Sequence, residues 1–245
     1  MQYLGILDII WVPVLLFLVH VRGKRIQAEN IDSNASYRYY HRALAAKVYG
    51  GLAFAFVYMF YYKGGDTLAY WMDAKSLGSL IFRNPVCYLD IMMGNLSVNN
   101  FYCFDLSAGP PFFFLRDPQS YTVPRLTSVF AFLTIDSFLG CTILVALLSF
   151  GGIWRLYQVF CEEYPMLTKE LAIAFLFIPS LVFWGSGIMK DTYTFAAACW
   201  MTSSVYGLLL KQREIFKNIV YVVISTYIMI NIKPYVFVAL LPGCL

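Results

Sequence analysis

The sequence predicts an all-α membrane protein, a polytopic bundle of about seven transmembrane helices whose last helix is incomplete. Two observations predict this fold class. Of the 245 residues, 60% are hydrophobic and 13% are charged, and the mean hydropathy of +0.65 is too high for a soluble domain. The apolar residues also form continuous runs without alternation, which favours helices over a barrel, because backbone amides in hydrocarbon must be paired internally.

Seven apolar runs account for the predicted spans, since a bilayer core of roughly 30 Å needs about 20 apolar residues per helix. The runs are 3–20, 44–62, 127–150, 171–189, 192–210, 218–232 and a last run that starts at position 235. The first run lacks a basic leader and a small-residue cleavage site, so we expect it to be retained. The last run is too short to cross, so we expect the chain to be the first part of a longer protein. Residues 1–245 are predicted to form a single transmembrane domain.

The distribution of Lys and Arg predicts the orientation of this bundle. One alternate set of connections carries eleven of the 18 basic residues: Arg22, Lys24, Arg25, Arg38, Arg42, Lys47, Arg155, Lys169, Lys211, Arg213 and Lys217. Because positive residues concentrate on the cytoplasmic side, this set is predicted to be cytoplasmic, with the N-terminus outside. The long connection 64–126 is then an extracytoplasmic loop.

Loop 64–126 is rich in aromatic residues, among them Tyr70, Trp71 and Phe113. Residues 67–82 mix apolar and polar side chains at helical spacing, which predicts short helices lying along the membrane surface. Two interpretations of the aromatic residues are open. They form an interfacial belt, or they stack on a sugar or a lipid.

The number and placement of three residue types bear on disulfides, metal sites and nucleic-acid binding. These types are cysteine, histidine and the basic residues. Cys87 and Cys103 both lie in the outer loop, where a disulfide can form, although sequence does not establish the pairing. The chain has no CxxC pair and only two histidines, so we expect no metal site and no cofactor. The basic residues are scattered, which argues against a nucleic-acid partner.

Three polar clusters follow predicted spans on the outer side: Asp66 after Gly64 and Gly65, the pair Lys190–Asp191, and Lys233 before Pro234 and Tyr235. A carboxylate such as Asp66 can accept a proton from an attacking hydroxyl group, and the lysines can hold a phosphate. A structural interpretation also stays open. Asp66 and Asp191 can cap helices, and the two lysines can anchor helix ends at the interface.

Two further acids, Asp8 and Asp136, fall within or near predicted spans, close to their outer ends. A carboxylate in a membrane is costly, which makes it a candidate functional residue. We favour local solvation or a hydrogen bond between helices over a role in proton or substrate handling.

The motif Gly64-Gly65-Asp66-Thr67 with Tyr70, followed by Pro179-Ser180, residues 183–187, Lys190-Asp191 and Lys233-Pro234-Tyr235, resembles bacterial multi-spanning glycosyltransferases of the GT-C superfamily. The resemblance implies a protein of the bacterial inner membrane that transfers sugars from polyprenyl-phosphate carriers outside. It implies that Asp66 is catalytic and that Lys190 lies near the lipid phosphate. The residues predicted to bind the substrate and its phosphate are Lys190, Asp191, Lys233, Tyr235 and Tyr70.

The chain departs from the pattern of that superfamily in three ways. The acidic loop commonly follows the first span there, whereas here it follows the second. Many members carry two adjacent acids, but Asp66 stands alone and Asp73 is two turns further on. Members also usually have more spans than the seven predicted here.

Two other functions remain open beside the glycosyltransferase. The same pocket would suit a polysaccharide polymerase or ligase that uses a lipid-pyrophosphate glycan. Alternatively, the chain is a non-catalytic membrane subunit of a cell-envelope secretion or motility complex, with loop 64–126 as the surface for its protein partners. The expected small partners are membrane lipids and a lipid-linked sugar donor. A transporter is disfavoured, because no inverted repeat is visible.

Overall fold

The computed structural model describes residues 4–105 and 110–244, and in these ranges the chain is 81% helical without β-strands. This confirms the all-α class. The α-helices are α1 (Ile6–Asn30), α2 (Tyr40–Phe56), α3 (Asp66–Arg83), α4 (Pro85–Met92), α5 (Val98–Phe101), α6 (Pro118–Leu133), α7 (Phe138–Glu163), α8 (Thr168–Ala172), α9 (Pro179–Trp184), α10 (Lys190–Leu209), α11 (Ile215–Ile232) and α12 (Pro234–Cys244). A 3₁₀ turn precedes α2, and π-helical turns extend α2 through Tyr62 and α8 through Phe177.

Within the described ranges, four helical segments are long and apolar enough to cross a membrane: Ile6–Asn30, Ala35–Tyr62, Phe138–Glu163 and Ile215–Ile232. They are consistent with an integral membrane protein. The length and composition of the observed helices do not confirm the predicted number of about seven spans. Helix α10 has 20 residues but carries Lys190, Asp191 and several Thr and Ser side chains, and the apolar α12 is short.

The predicted third span, 127–150, consists of parts of two helices. Helix α6 ends at Leu133 and α7 begins at Phe138. Between them, Ile135 and Asp136 adopt left-handed φ angles of 50° and 62°, and the Ser137 hydroxyl accepts a hydrogen bond from Gly140 N at 2.9 Å. The two residues with left-handed backbone conformation end α6, because an α-helix cannot continue through them. The Ser137 side chain then caps the first turn of α7. The apolar run therefore crosses a turn.

The predicted fourth span, 171–189, is interrupted as well. Ile178 is extended, as expected for a residue before proline, and separates the π-helical turn Ile173–Phe177 from α9. After α9 the chain is non-helical until α10 begins at Lys190. We call residues 168–189 the interrupted segment.

The bundle has two ends, which we name by the groups found there. At the loop end, the buried Asp8 carboxylate accepts hydrogen bonds from the Ser137 hydroxyl at 2.6 Å and from Leu139 N at 3.0 Å, so α1 meets the start of α7. Asp8 therefore makes the hydrogen bond between helices that the sequence favoured. At the basic end, Lys211 Nζ lies 3.0 Å from Glu163 Oε1, where α7 and α10 both finish. Helices α7 and α10 thus run in parallel.

Helix α2 approaches the interrupted segment through glycines. A Cβ atom at Gly50 would lie 2.2 Å from the carbonyl oxygen of Val182, which shows how closely the two backbones pack. Beside this contact, the buried Lys47 donates a hydrogen bond to the carbonyl oxygen of Leu181 at 3.0 Å. Lys47 was assigned to a cytoplasmic connection, and this assignment is wrong because the side chain lies inside the bundle.

The contact at Gly50 gives a stability prediction. Gly50→Ala should destabilise the protein by about 1–3 kcal/mol, because the added carbon meets a backbone carbonyl that cannot move aside. The control is Gly151→Ala in α7, where the nearest atom would lie 3.6 Å from the new carbon. There the helix should gain about 0.5–1 kcal/mol. Unfolding in detergent micelles, followed by circular dichroism, measures both. Equal stability of the two variants would contradict the packing.

Candidate functional site

The candidate site begins at the start of α3. Gly65 has a φ of +106°, a conformation that favours glycine, and it precedes Asp66 as the first residue of the helix. The Asp66 side chain is exposed and makes no capping hydrogen bond. Asp191 likewise lies in the first turn of α10 without a side-chain cap at that end. Within the described ranges, neither acid acts as the helix cap that the structural interpretation required.

Tyr70 is the residue around which the acids converge. Its side chain is buried, its ring stacks on Phe113 at 4.7 Å, and its hydroxyl group interacts with Ser120. Three carboxylates act on this hydroxyl group: Asp66, Asp117 and Asp191. Burial raises the pKa of Tyr70 to about 12, and the carboxylates act in the same direction. Asp66 and Asp191 are 125 positions apart in sequence, and both are near enough to Tyr70 to act on its hydroxyl group.

Two ion pairs join the remaining predicted residues to this group. Lys190 Nζ lies 3.2 Å from Asp117 Oδ2, and Lys233 Nζ pairs with Asp191 Oδ1. The lysine side chains are 25% and 22% exposed, so both are partly shielded from solvent. The Lys190–Asp191 and Lys233 clusters predicted from the sequence are thus joined by an ion pair, and Asp66 is near enough to the same Tyr70 hydroxyl group to influence it.

The ion pairs affect the titration of their members. Desolvation acts to raise the pKa of Asp117, but hydrogen bonds from Ser120 and Lys190 outweigh it and bring the pKa below its usual value. Desolvation acts to lower the pKa of Lys233, and the Asp191 carboxylate reverses this, so the pKa is raised. The Asp117 carboxylate and the Lys233 ammonium group are therefore charged at neutral pH.

Asp117 and Ser120 were not predicted as site residues. Asp117 caps α6, accepting a hydrogen bond from Ser120 N at 3.0 Å, and Pro118 occupies the first helical position. The Asp-Pro pair is a sequence signal for a helix start, and it could have indicated a carboxylate held near the loop end.

An apolar cleft of about 380 Å³ adjoins the charged group between α9, α10 and α12. Asp191 and Lys233 are its charged lining residues, and Trp184, Phe195 and Val236 contribute to its apolar walls. Tyr235 is exposed and lies beside Lys233, outside the lining of the cleft. The cleft therefore combines apolar walls with an ion pair.

The loop aromatics Trp71 and Phe113 pack into the protein. Trp71 meets Phe138 edge to face at 5.4 Å, and both Trp71 and Phe113 are buried. These two rings therefore belong to the core that supports the site and do not line the cleft. Phe112 differs, since it is exposed and lies 4.7 Å beneath the Arg116 guanidinium group.

Two further contacts fix the shape of the loop. The buried Asp73 carboxylate accepts hydrogen bonds from Phe112 N at 2.7 Å and Phe113 N at 2.8 Å. Cys87 and Cys103 form a disulfide that joins α4 to the turn after α5. Asp73 thus fixes the backbone at Phe112 and Phe113, and the Phe113 ring stacks on Tyr70.

No family model, curated protein or solved structure matches this chain. Among the described residues, no group of three or more His, Cys, Asp or Glu side chains is arranged to hold a metal ion.

Asp73 gives a pH prediction, because burial raises its pKa to about 6 against the opposing effect of its two backbone hydrogen bonds. The folded protein then keeps the proton at pH values where the unfolded chain has lost it. The stability that Asp73 contributes is fully present below its ordinary pKa and is lost as pH rises through about 6.

We expect the unfolding free energy of the wild type, relative to Asp73→Asn, to fall by up to about 3 kcal/mol between pH 4 and 7. Chemical unfolding of both proteins across this pH range measures the difference. A difference that stays constant with pH would contradict the raised pKa.

Proposed function

We propose that the chain is a membrane glycosyltransferase that transfers a sugar from a polyprenyl-phosphate-linked donor at the loop end of the bundle. One observation carries this proposal: the charged group of Lys190, Asp191 and Lys233 adjoins the apolar cleft, and Asp66 acts on the same Tyr70 hydroxyl group as Asp191. A polyprenyl-phosphate sugar likewise has an apolar part and a polar part, because its long hydrocarbon chain is attached to a charged phosphate and a sugar ring. The cleft would take the first part of the chain, and the charged group would take the phosphate and the sugar.

The phosphate is proposed to bind at Lys233 and Lys190. In the absence of a ligand their partners are Asp191 and Asp117, and partly exposed ion pairs of this kind contribute little stability. A phosphate can therefore replace a carboxylate beside either lysine at small cost. Lys233 lines the cleft, so a phosphate there would leave its lipid chain against Trp184, Phe195 and Val236. The lysines would also stabilise the negative charge that grows on the departing phosphate.

Asp66 is proposed as the general base. Asp117 and Asp191 are already paired with lysines, whereas Asp66 makes no hydrogen bond or ion pair with any described residue. Its exposed carboxylate can take the proton of an acceptor hydroxyl group. The hydroxyl oxygen then bonds to the anomeric carbon as the bond from that carbon to the phosphate oxygen breaks. The exposed Tyr235 would hold the sugar or phosphate by a hydrogen bond beside Lys233, whereas the buried Tyr70 would support the site from the core.

We infer further that the loop end faces outward from a bacterial inner membrane, with the N-terminus on the same side. The disulfide Cys87–Cys103 supports this orientation, because disulfides form and persist in oxidising compartments. Counting the interrupted segment, α10 and α12 as membrane crossings adds three to the four apolar helices, which would make seven.

A second candidate, the non-catalytic subunit, is favoured by a different observation. Four large apolar side chains are exposed on α3, on α4 and just after α4: Phe82, Val86, Leu89 and Met93. A partner protein could cover this surface. A polymerase that uses a lipid-pyrophosphate glycan would use the same cleft as the glycosyltransferase.

The decisive variant for the glycosyltransferase is Asp66→Asn, which keeps the shape of the side chain and removes its ability to take a proton. We expect sugar transfer to fall by about 10²–10⁴-fold with binding of the donor unchanged. The measurement is release of polyprenyl phosphate from labelled polyprenyl-phosphate hexoses in membranes that contain the chain. The control is Asp32→Asn, an equally exposed acid distant from the site, which should change the rate less than twofold.

Full activity of Asp66→Asn would overturn the assignment of the base. If the wild type releases no polyprenyl phosphate from any donor, and a membrane protein co-purifies with it through the 64–126 loop, the subunit function is favoured instead.

A further inference from the structure

A second cavity, of about 480 Å³, lies at the basic end between α7, α10 and α11. It is at the opposite end of α10 from the proposed glycosyl-transfer site and shares no residue with the cleft. Three cations and two acids line it: Arg155, Arg213, Lys217, Glu162 and Glu214. The charged lining therefore carries a net charge of +1, from +3 and −2.

The two acids are engaged by two of these cations. Arg213 Nη2 donates to both carboxylate oxygens of Glu162, at 2.8 and 2.9 Å, and Lys217 Nζ lies 2.9 Å from Glu214 Oε2. Arg155 has no carboxylate partner among the described residues, and its buried Nη1 has no hydrogen-bond acceptor there. Arg155 therefore supplies the excess positive charge of the cavity.

Neighbouring side chains hold the Arg155 guanidinium group in place. It lies 4.5 Å from the centre of the Tyr221 ring, and its Nη2 donates to the side-chain oxygen of Asn218. Asn218 is buried and its own Nδ2 donates to Arg213 O at 2.7 Å, which fixes its orientation. A Cβ atom at Gly207 would lie 2.6 Å from that nitrogen, so only glycine leaves room for Asn218. The guanidinium group is thus positioned before any ligand arrives.

We propose that this cavity binds a phosphate group, with Arg155 as its principal contact and Lys217 as a second one at the rim. A guanidinium group offers paired N–H donors that match phosphate oxygens, and unlike lysine it stays charged in any surroundings. Basic pockets between transmembrane helices are suited to the headgroups of anionic lipids. The volume accommodates a phosphate with a small polar substituent, so the phosphate comes from such a headgroup or from a soluble phosphate ester.

The test uses the whole purified chain in a non-ionic detergent. Short-chain phosphatidylglycerol, glycerol 3-phosphate and inorganic phosphate are titrated separately into the protein, and binding is measured by calorimetry. We expect Arg155→Gln to weaken binding of the recognised ligand at least tenfold. The matched control is Arg38→Gln, which removes the same charge from an exposed position outside the cavity and should change binding less than twofold.

The ligands distinguish the two sources of the phosphate. Binding of the lipid alone assigns the cavity to a membrane headgroup, whereas binding of glycerol 3-phosphate or inorganic phosphate assigns it to a soluble ligand. Either result supports the proposal if it depends on Arg155. The proposal is overturned if none of the three binds to the wild type, or if Arg38→Gln loses as much affinity as Arg155→Gln.

Loss of the Asn218 contact could prevent Arg155→Gln from folding, so a second variant keeps the test decisive. Lys217→Gln changes a side chain that is 55% exposed, and we expect it to fold normally. It should weaken binding threefold or more, because it removes the second cation from the rim. Unchanged affinity in Lys217→Gln, with Arg155→Gln unfolded, would overturn the proposal.

Discussion

The interrupted segment can exist inside the bundle because side chains satisfy its free carbonyl groups. A backbone that leaves the helical hydrogen-bond pattern in apolar surroundings must find other partners. Three side chains from three different helices provide them: Lys47 donates to Leu181 O, Ser149 to Gly185 O and Thr192 to Trp184 O. The last two acceptors are at the end of α9, where the chain turns into its non-helical part.

Lys190 and Asp191 directly follow this interruption. A continuous helix through residues 171–189 would leave no non-helical connection between the fourth run and α10. Helix α9 ends at Trp184, residues 185–189 are non-helical, and α10 begins at the loop end beside Asp117 and Lys233. The apolar cleft has its charged pair at the same place. The carbonyl groups that side chains satisfy in the interrupted segment and the charged residues of the candidate site are thus close together in the chain.

Sequence reasoning identified the helical class, which follows from the length of the apolar runs. It also predicted that Lys190–Asp191 and Lys233 would lie together, and an ion pair joins Asp191 to Lys233. It misplaced the third span, since the apolar end of α6 continues the hydropathy of α7 across a turn made by Ile135 and Asp136. It also missed Asp117, whose neighbour Lys190 is 73 positions away. Such a contact depends on how α6 crosses α10, and one sequence has no local signal for that. Lys47 shows the reverse error, since a lysine that suggested a cytoplasmic connection proved to be an internal hydrogen-bond donor.

The central claim is that the cleft at the loop end receives the lipid of a phosphate-bearing donor. Photo-crosslinking tests it most directly, using the whole chain in bilayers and a polyprenyl phosphate with a photoreactive group on its first isoprene unit. The account predicts crosslinks to Trp184, Phe195 or Val236, abolished by excess unlabelled polyprenyl phosphate and weakened by Lys233→Gln. Crosslinks spread along the exposed apolar face of α1, or crosslinks indifferent to Lys233, would contradict it.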